Sequence, residues 1–203
     1  TAEFLTLNDK AFCFSEQGTG KTAAAIWAAD YLMNIRDIKR VLIVCPLSVM
    51  HSAWMDDLFK TVMHRTAAVA YGKKEKRREI IDGDFDFTII NYDGVSILPE
   101  LMGKFDLIIA DECNFIKTVT TRRWKAFNRL LTPGTKLWMM TGTPAAQSPV
   151  DAFGLARLVN PRAVPRFFGS WRDRVMLKCG QFRWVPKQNA TAQVNAVLQP
   201  AIR

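Results

Sequence analysis

Two short stretches carry residue types that could do phosphate chemistry together. The first, Ser-Glu-Gln-Gly-Thr-Gly-Lys-Thr at residues 15–22, stands between an apolar run, 11–15, and an alanine-rich helical stretch beginning at Lys21. Where a buried strand turns through glycines into a helix, backbone N–H groups and the positive helix end converge on an anion. In that arrangement Glu16, Gln17, Gly18, Thr19 and Gly20 would wrap the phosphates of ATP. Lys21 would reach the β- and γ-phosphates, and the Thr22 hydroxyl would ligate Mg2+. The second stretch, Asp-Leu-Ile-Ile-Ala-Asp-Glu at 106–112, ends an apolar run in two acids. Asp111 would hold the Mg2+, and Glu112 would orient and deprotonate an attacking water. Each signal alone is weak: Ser15 fills the first glycine's place in the pattern G-x-x-x-x-G-K-[ST], and acids end many strands. Their force lies in the pairing, because parallel sheets bind ligands at the carboxyl ends of their strands. A third stretch, Met-Met-Thr-Gly-Thr-Pro at 139–144, closes another apolar run. Its Thr141 and Thr143 hydroxyls, with Gly142 between them, would sense the metal-bound carboxylates through hydrogen bonds.

These groups need a sheet to hold them, and the hydrophobic pattern supplies one. Runs at 11–15, 41–45, 67–71, 87–91, 106–111 and 136–141 are apolar on consecutive positions, as strands buried on both faces of a parallel sheet are. Between them lie helix-forming stretches at 21–34, 48–60, 73–82 and 121–131. This alternation predicts an α/β fold, a doubly wound and mostly parallel central sheet with helices on both faces. Prolines 161 and 165 interrupt the rhythm beyond Asp151, and a hairpin is expected about Cys179-Gly180. The organisation expected is therefore a nucleotide-binding lobe over 1–151 and a small helical and hairpin appendage of the same lobe over 152–203.

The chain of 203 residues is 49% hydrophobic and 23% charged, a composition that excludes disorder and suits one globular domain. No apolar run approaches the roughly 20 residues of a membrane-spanning helix, so no membrane partner is expected. The chain reads as intracellular: cytoplasmic in a prokaryote or virus, nuclear in a eukaryote. Cys13, Cys45, Cys113 and Cys179 lack metal-site spacing and read as reduced thiols. The net charge of +9 points to a polyanionic partner.

With the three stretches in order, the sequence resembles the first, ATP-binding lobe of helicase superfamily two, a RecA-like phosphate-loop fold, and most closely the Swi/Snf-type DNA translocases. The family's D-E-M-G-L-G-K-T corresponds to Ser15–Thr22. An apolar strand with P-x-S-L/V and a later Trp matches Pro46, Ser48, Val49 and Trp54. A pattern like I-T-T-Y-E matches Tyr92 and Asp93, D-E-A-H-x-I-K matches "DECNFIK", and T-G-T-P-x-Q-N is approximated by "TGTPAAQ". The resemblance implies an ATP hydrolase that moves along or remodels DNA, with a second lobe of similar fold supplying arginines to the reacting phosphate. Lys21, Asp111 and Glu112 would be catalytic, and Asn114, Thr141, Gly142 and Thr143 would couple hydrolysis to motion. Cys113 and Asn114 replace the family's Ala and His; Asn114 hydrogen-bonds but does not titrate. Ser15 and Ala146 also depart from the pattern.

The same resemblance places Pro46, Ser48, Val49, Asn91, Tyr92, Asp93 and Lys117 on the phosphate backbone of one DNA strand, contacts that position without reading sequence. Trp54 reads as a core aromatic and the run Lys73–Glu79 as a solvated helix face. The basic residues from Arg162 to Arg183, interleaved with Phe167, Phe168, Trp171, Phe182 and Trp184, fit either a DNA-facing surface or the seat of the second lobe. Rival functions are a strand-separating helicase or restriction-type translocase subunit, a nucleotide-switched binding module without significant hydrolysis, and a small-molecule kinase.

Overall fold

A computed structural model describes residues 1–202 apart from Gln17, Pro144 and Ala146. In chain order its elements are α1 (Ala2–Thr6), β1 (Lys10–Cys13), α2 (Lys21–Asn34), β2 (Val41–Cys45), α3 (Asp56–Thr61), β3 (Ala67–Val69), α4 (Lys74–Asp82), β4 (Phe87–Asn91) and α5 (Tyr92–Ile97). There follow β5 (Leu107–Asp111), α6 (Arg122–Leu130), β6 (Lys136–Met140), α7 (Ala152–Val159), α8 (Phe168–Val175), β7 (Met176–Lys178), β8 (Trp184–Pro186), α9 (Ala190–Val197) and β9 (Ala201–Ile202).

Seven strands form one parallel sheet in the order β3-β4-β2-β5-β6-β1-β9. Successive side chains of a strand point to opposite faces, so the consecutive apolar positions feed two cores. Val41, Ile43, Cys45, Leu107 and Ile109 pack with α1, α2 and α3 on one side. Leu42, Val44, Ile108 and Ala110 pack with residues of α4 to α9 on the other. Alanines 25, 28 and 29 on the buried side of α2 let that helix lie close over the sheet.

The region expected as one helix over 48–60 is built differently. A short 3-10 turn, Leu47–Val49, leads into a π-helical turn, Met50–Met55, before α3 begins. Met50, Trp54 and Leu58, all buried, are spaced by fours. Four residues overshoot an α-turn by about 40°, and the wider π-turn cancels that drift, keeping all three on the core side.

The segment from Ala152 onward shares the main core: Phe153, Leu155, Trp171, Val175 and Val194 pack in the same cluster as Phe12, Leu42 and Met139. The expected hairpin is present, β7 pairing antiparallel with β8. The chain then returns through α9 to place β9 beside β1, with Phe12 N–H donating to Pro200 O at 2.9 Å and Phe14 N–H to Ile202 O at 2.8 Å. Sequence pattern gave no sign of this two-residue strand. Among the described residues, no helix is long and apolar enough to cross a membrane.

Candidate nucleotide cleft and its neighbouring groove

Four adjoining strand ends make the site. In spatial order they are β2, β5, β6 and β1, followed by Pro46, Asp111, Thr141 and the glycine loop. Gly18, Gly20, Lys21, Thr22, Pro46, Ser48, Val49, Asp111 and Glu112 line a single cleft of about 620 Å3.

The loop has a shape only glycine takes without strain. Gly18 and Gly20 have φ of 79° and 76°, and open space surrounds the position a Cβ would occupy in each. Thr19 Oγ1 donates to Glu16 O at 2.7 Å and tightens the turn. Gly20 then caps α2, whose first residue is Lys21. The Lys21 side chain is buried, yet it has no hydrogen bond or ion pair among the described residues. Its charge acts on the neighbouring Asp111 carboxyl without a direct contact, and its N–H donors are left open to an incoming phosphate. Thr22 lines the same cleft. Gln17 lies outside the described residues, as do Pro144 and Ala146.

Asp111 is gripped from two sides. Its Oδ2 accepts from the buried Trp54 indole N–H at 2.9 Å, and its Oδ1 from the Glu112 N–H at 3.0 Å. Burial pushes the Asp111 carboxyl up; the Trp54 hydrogen bond and the Lys21 charge oppose that, while Glu112 adds to it. Burial likewise pushes up the Cys45 and Cys113 thiols beside it and keeps them protonated. Trp54 is thus a core aromatic, as its spacing suggests, whose one polar atom is aimed at the acid expected to hold metal.

Glu112 sits in the left-handed region, φ 49° and ψ 53°, unusual for a non-glycine residue. Its Oε2 accepts from Thr141 Oγ1 at 3.1 Å. Asn114 Nδ2 donates in turn to Thr141 Oγ1 at 3.0 Å and to Thr143 O at 2.9 Å. Gly142 lies against the phosphate loop, where an added Cβ would meet Ser15 O and Glu16 Cα at 3.7 Å. Of the four residues expected to couple hydrolysis to motion, Asn114, Thr141 and Thr143 thus bond to one another and Thr141 to Glu112, while Gly142 lies on the phosphate loop. No feature of the structure accounts for Ser15 in place of the family's Asp.

A second groove, about 440 Å3, opens on the other side of the Pro46–Val49 turn and is lined by Pro46, Leu47, Ser48, Asn91, Tyr92, Asp93, Phe115 and Arg123. Pro46 and Ser48 border both spaces. Three of the expected DNA contacts are placed otherwise than the motif suggests. Tyr92 is buried, its hydroxyl donating to Asp111 O at 2.7 Å and its ring stacked on the half-exposed Phe115. Asn91 accepts from Arg77 Nη1 at 2.9 Å in a buried pair. Lys117 is held between Gln147 Oε1 at 2.6 Å and Asp151 Oδ2 at 2.8 Å. The Tyr92 hydroxyl, Asn91 Oδ1 and Lys117 Nζ thus each have a partner within the fold. Pro46, Ser48 and Val49 remain at the two openings. Arg77 is the residue hidden by the charge run 73–79: it folds inward, and a Cβ on Gly94 would stand 2.4 Å from its Nη1. The glycine in "NYDGV" could have signalled that close approach.

A parallel sheet with a glycine loop after β1 and acids closing β5 defines a RecA-like nucleotide-binding lobe. The sequence profile of the SNF2-related domain matches residues 9–202, and the chain belongs to that family. It is 28% identical over 159 residues to a SWI/SNF-related matrix-associated actin-dependent regulator of chromatin subfamily A-like protein 1 of Xenopus laevis, covering 75% of this chain and 15% of that protein. It is 29% identical over 200 residues to putative protein p41 of Acyrthosiphon pisum secondary endosymbiont phage 1, covering 89% and 43%. The SWI2/SNF2 ATPase core of Sulfolobus solfataricus, solved in complex with double-stranded DNA, superposes with a TM-score of 0.81 at 23% identity, covering all of this chain and 42% of that one. The chain thus spans less than half the length of each of these proteins.

Proposed function

We propose that this chain is the ATP-binding lobe of a DNA-dependent ATPase of the Swi/Snf-related kind, one that moves along or remodels duplex DNA when joined to a second lobe. The observation that carries the reading is the buried, unpartnered Lys21 ammonium in one cleft with Thr22, Asp111 and Glu112. Lys21 and the loop N–H groups would bind the triphosphate. Thr22 and Asp111 would hold Mg2+, which when bound neutralises charge on the phosphates. Glu112, tethered by Thr141, would take a proton from water. Asn114 ties that tether to the turn at Thr143, so movement of the turn and orientation of the base are linked.

The second lobe is part of the proposal because the chain covers only 42% of the solved core. An arginine supplied from such a lobe is worth on the order of 10³ to 10⁵ in rate. The lobe alone is therefore expected to bind MgATP and hydrolyse it slowly. Calorimetric titration with MgATP and a phosphate-release assay with and without duplex DNA test this. Absence of MgATP binding would overturn the nucleotide reading, and fast, DNA-stimulated turnover by these 203 residues would overturn the need for a second lobe.

A further inference from the structure

Charge is divided unevenly along the chain. Residues 1–151 hold 19 Lys and Arg against 18 Asp and Glu, a net +1, whereas residues 152–203 hold 9 against the single Asp173, a net +8. In the first part six cations pair with carboxylates among the described residues: Arg65 with Asp30, Arg78 with Glu100, Lys104 with Asp82, Lys117 with Asp151, Arg123 with Asp93 and Lys136 with Asp37. In the second, Arg162, Arg166, Arg174, Lys178 and Arg183 are exposed and have no carboxylate partner among the described residues.

The β7–β8 ribbon gathers part of this charge around aromatic rings. Lys178 stands opposite Trp184 in the antiparallel register, so both side chains share one face. Arg172 reaches that face from α8, its guanidinium 4.0 Å from the centre of the Trp184 ring. The connecting loop carries Arg183 and Phe182, the latter 88% exposed. Exposed cations without carboxylate partners favour a polyanion, and the exposed Phe182 ring among them favours a flat apolar face. A duplex hides its base faces in the stack, while a single strand offers both phosphates and unstacked bases.

We infer that the face formed by Lys178, Phe182 and Arg183 beside the Arg172–Trp184 stack binds a single-stranded stretch of nucleic acid, Lys178 and Arg183 on phosphates and Phe182 on a base. The site lies apart from the groove beside the nucleotide cleft; it rests on the motor reading only for nucleic acid being the polyanion.

The test is fluorescence anisotropy of the chain with labelled (dT)20 and a blunt 20-bp duplex across a KCl series. Replacing Lys178 and Arg183 by Ala should flatten the plot of log K against log[KCl] for (dT)20 by about 1.4, about 0.7 for each lost phosphate contact. The same double replacement at the exposed Lys74 and Lys76 of α4 should leave the slope unchanged. Phe182→Ala should weaken (dT)20 about tenfold and leave the duplex as it was. An unchanged slope in the hairpin variant would overturn the proposal and give the surface to a protein partner. Equal flattening by the α4 variant, or an equal loss on both probes for Phe182→Ala, would overturn it as well. MgATP affinity, measured on the same variants, should stay that of the parent. Its absence from the parent would sink the nucleotide reading without touching the strand-binding result.

Discussion

The nucleotide cleft and the groove beside it share the Pro46–Val49 turn but treat their polar groups in opposite ways. In the cleft Lys21 is buried and without a partner, and the glycine loop faces open space. In the groove Tyr92 and Asn91 are already spent on Asp111 O and Arg77. Unsatisfied groups await a ligand; satisfied ones fix geometry. By that measure the cleft is the space left open to a ligand, and Tyr92 is a brace running from the groove to the strand that carries Asp111.

The largest expected effect tests the open side. Lys21→Ala should lower MgATP affinity on the order of 100-fold, because a charge-assisted contact in a buried site is lost; calorimetry reads it, and an unchanged affinity would erase the contrast. Next is Trp54→Phe, which keeps an aromatic ring in the core and removes the five-membered ring with its N–H to Asp111 Oδ2. Outer hydrogen bonds to metal-holding groups matter about 10-fold or more, so the Mg2+ concentration for half-maximal nucleotide binding should rise about tenfold, and the space left by the smaller ring should cost on the order of 1–2 kcal/mol in unfolding. Tyr92→Phe probes the braced side: it should cost about 1 kcal/mol in urea unfolding and leave MgATP affinity within about twofold.

The smallest effect concerns a pair remote from both spaces. Burial raises the Asp30 carboxyl, but the Arg65 guanidinium and the His64 ring outweigh that and hold it below its ordinary 3.8. A carboxyl depressed by folding contributes stability that is complete above its unfolded value and lost as the pH falls below it. Asp30→Asn should therefore be less stable than the parent at neutral pH, by under about 1 kcal/mol. The two melting curves should converge as the pH drops below 3.8.

How much of this could be read in advance differs by residue. The strands at 41–45 and 87–91 and the helix at 21–34 have the bounds their apolar runs suggest, because a strand buried on both faces writes its length directly into the sequence. The spacing of the loop, acid and Thr-Gly-Thr stretches also foretold that they would meet. Partners across the fold were not legible. Nothing local to Trp54 says that its N–H points at a carboxylate 57 positions away, and nothing in a run of charges distinguishes Arg77, which turns inward, from its solvated neighbours. The π-turn was hidden for a related reason: spacing by fours fits an ordinary helix until the sheet demands that all three side chains face it.

The last strand has a mechanical consequence. β9 runs parallel to β1, and its ladder bonds to Phe12 and Phe14 lie along the segment that leads into the phosphate loop. A load drawn along the chain at Ile202 would pull these bonds in shear, all sharing the force, instead of peeling them one at a time. Tension on that end is thereby delivered to the root of the loop and not dissipated in the hairpin before it.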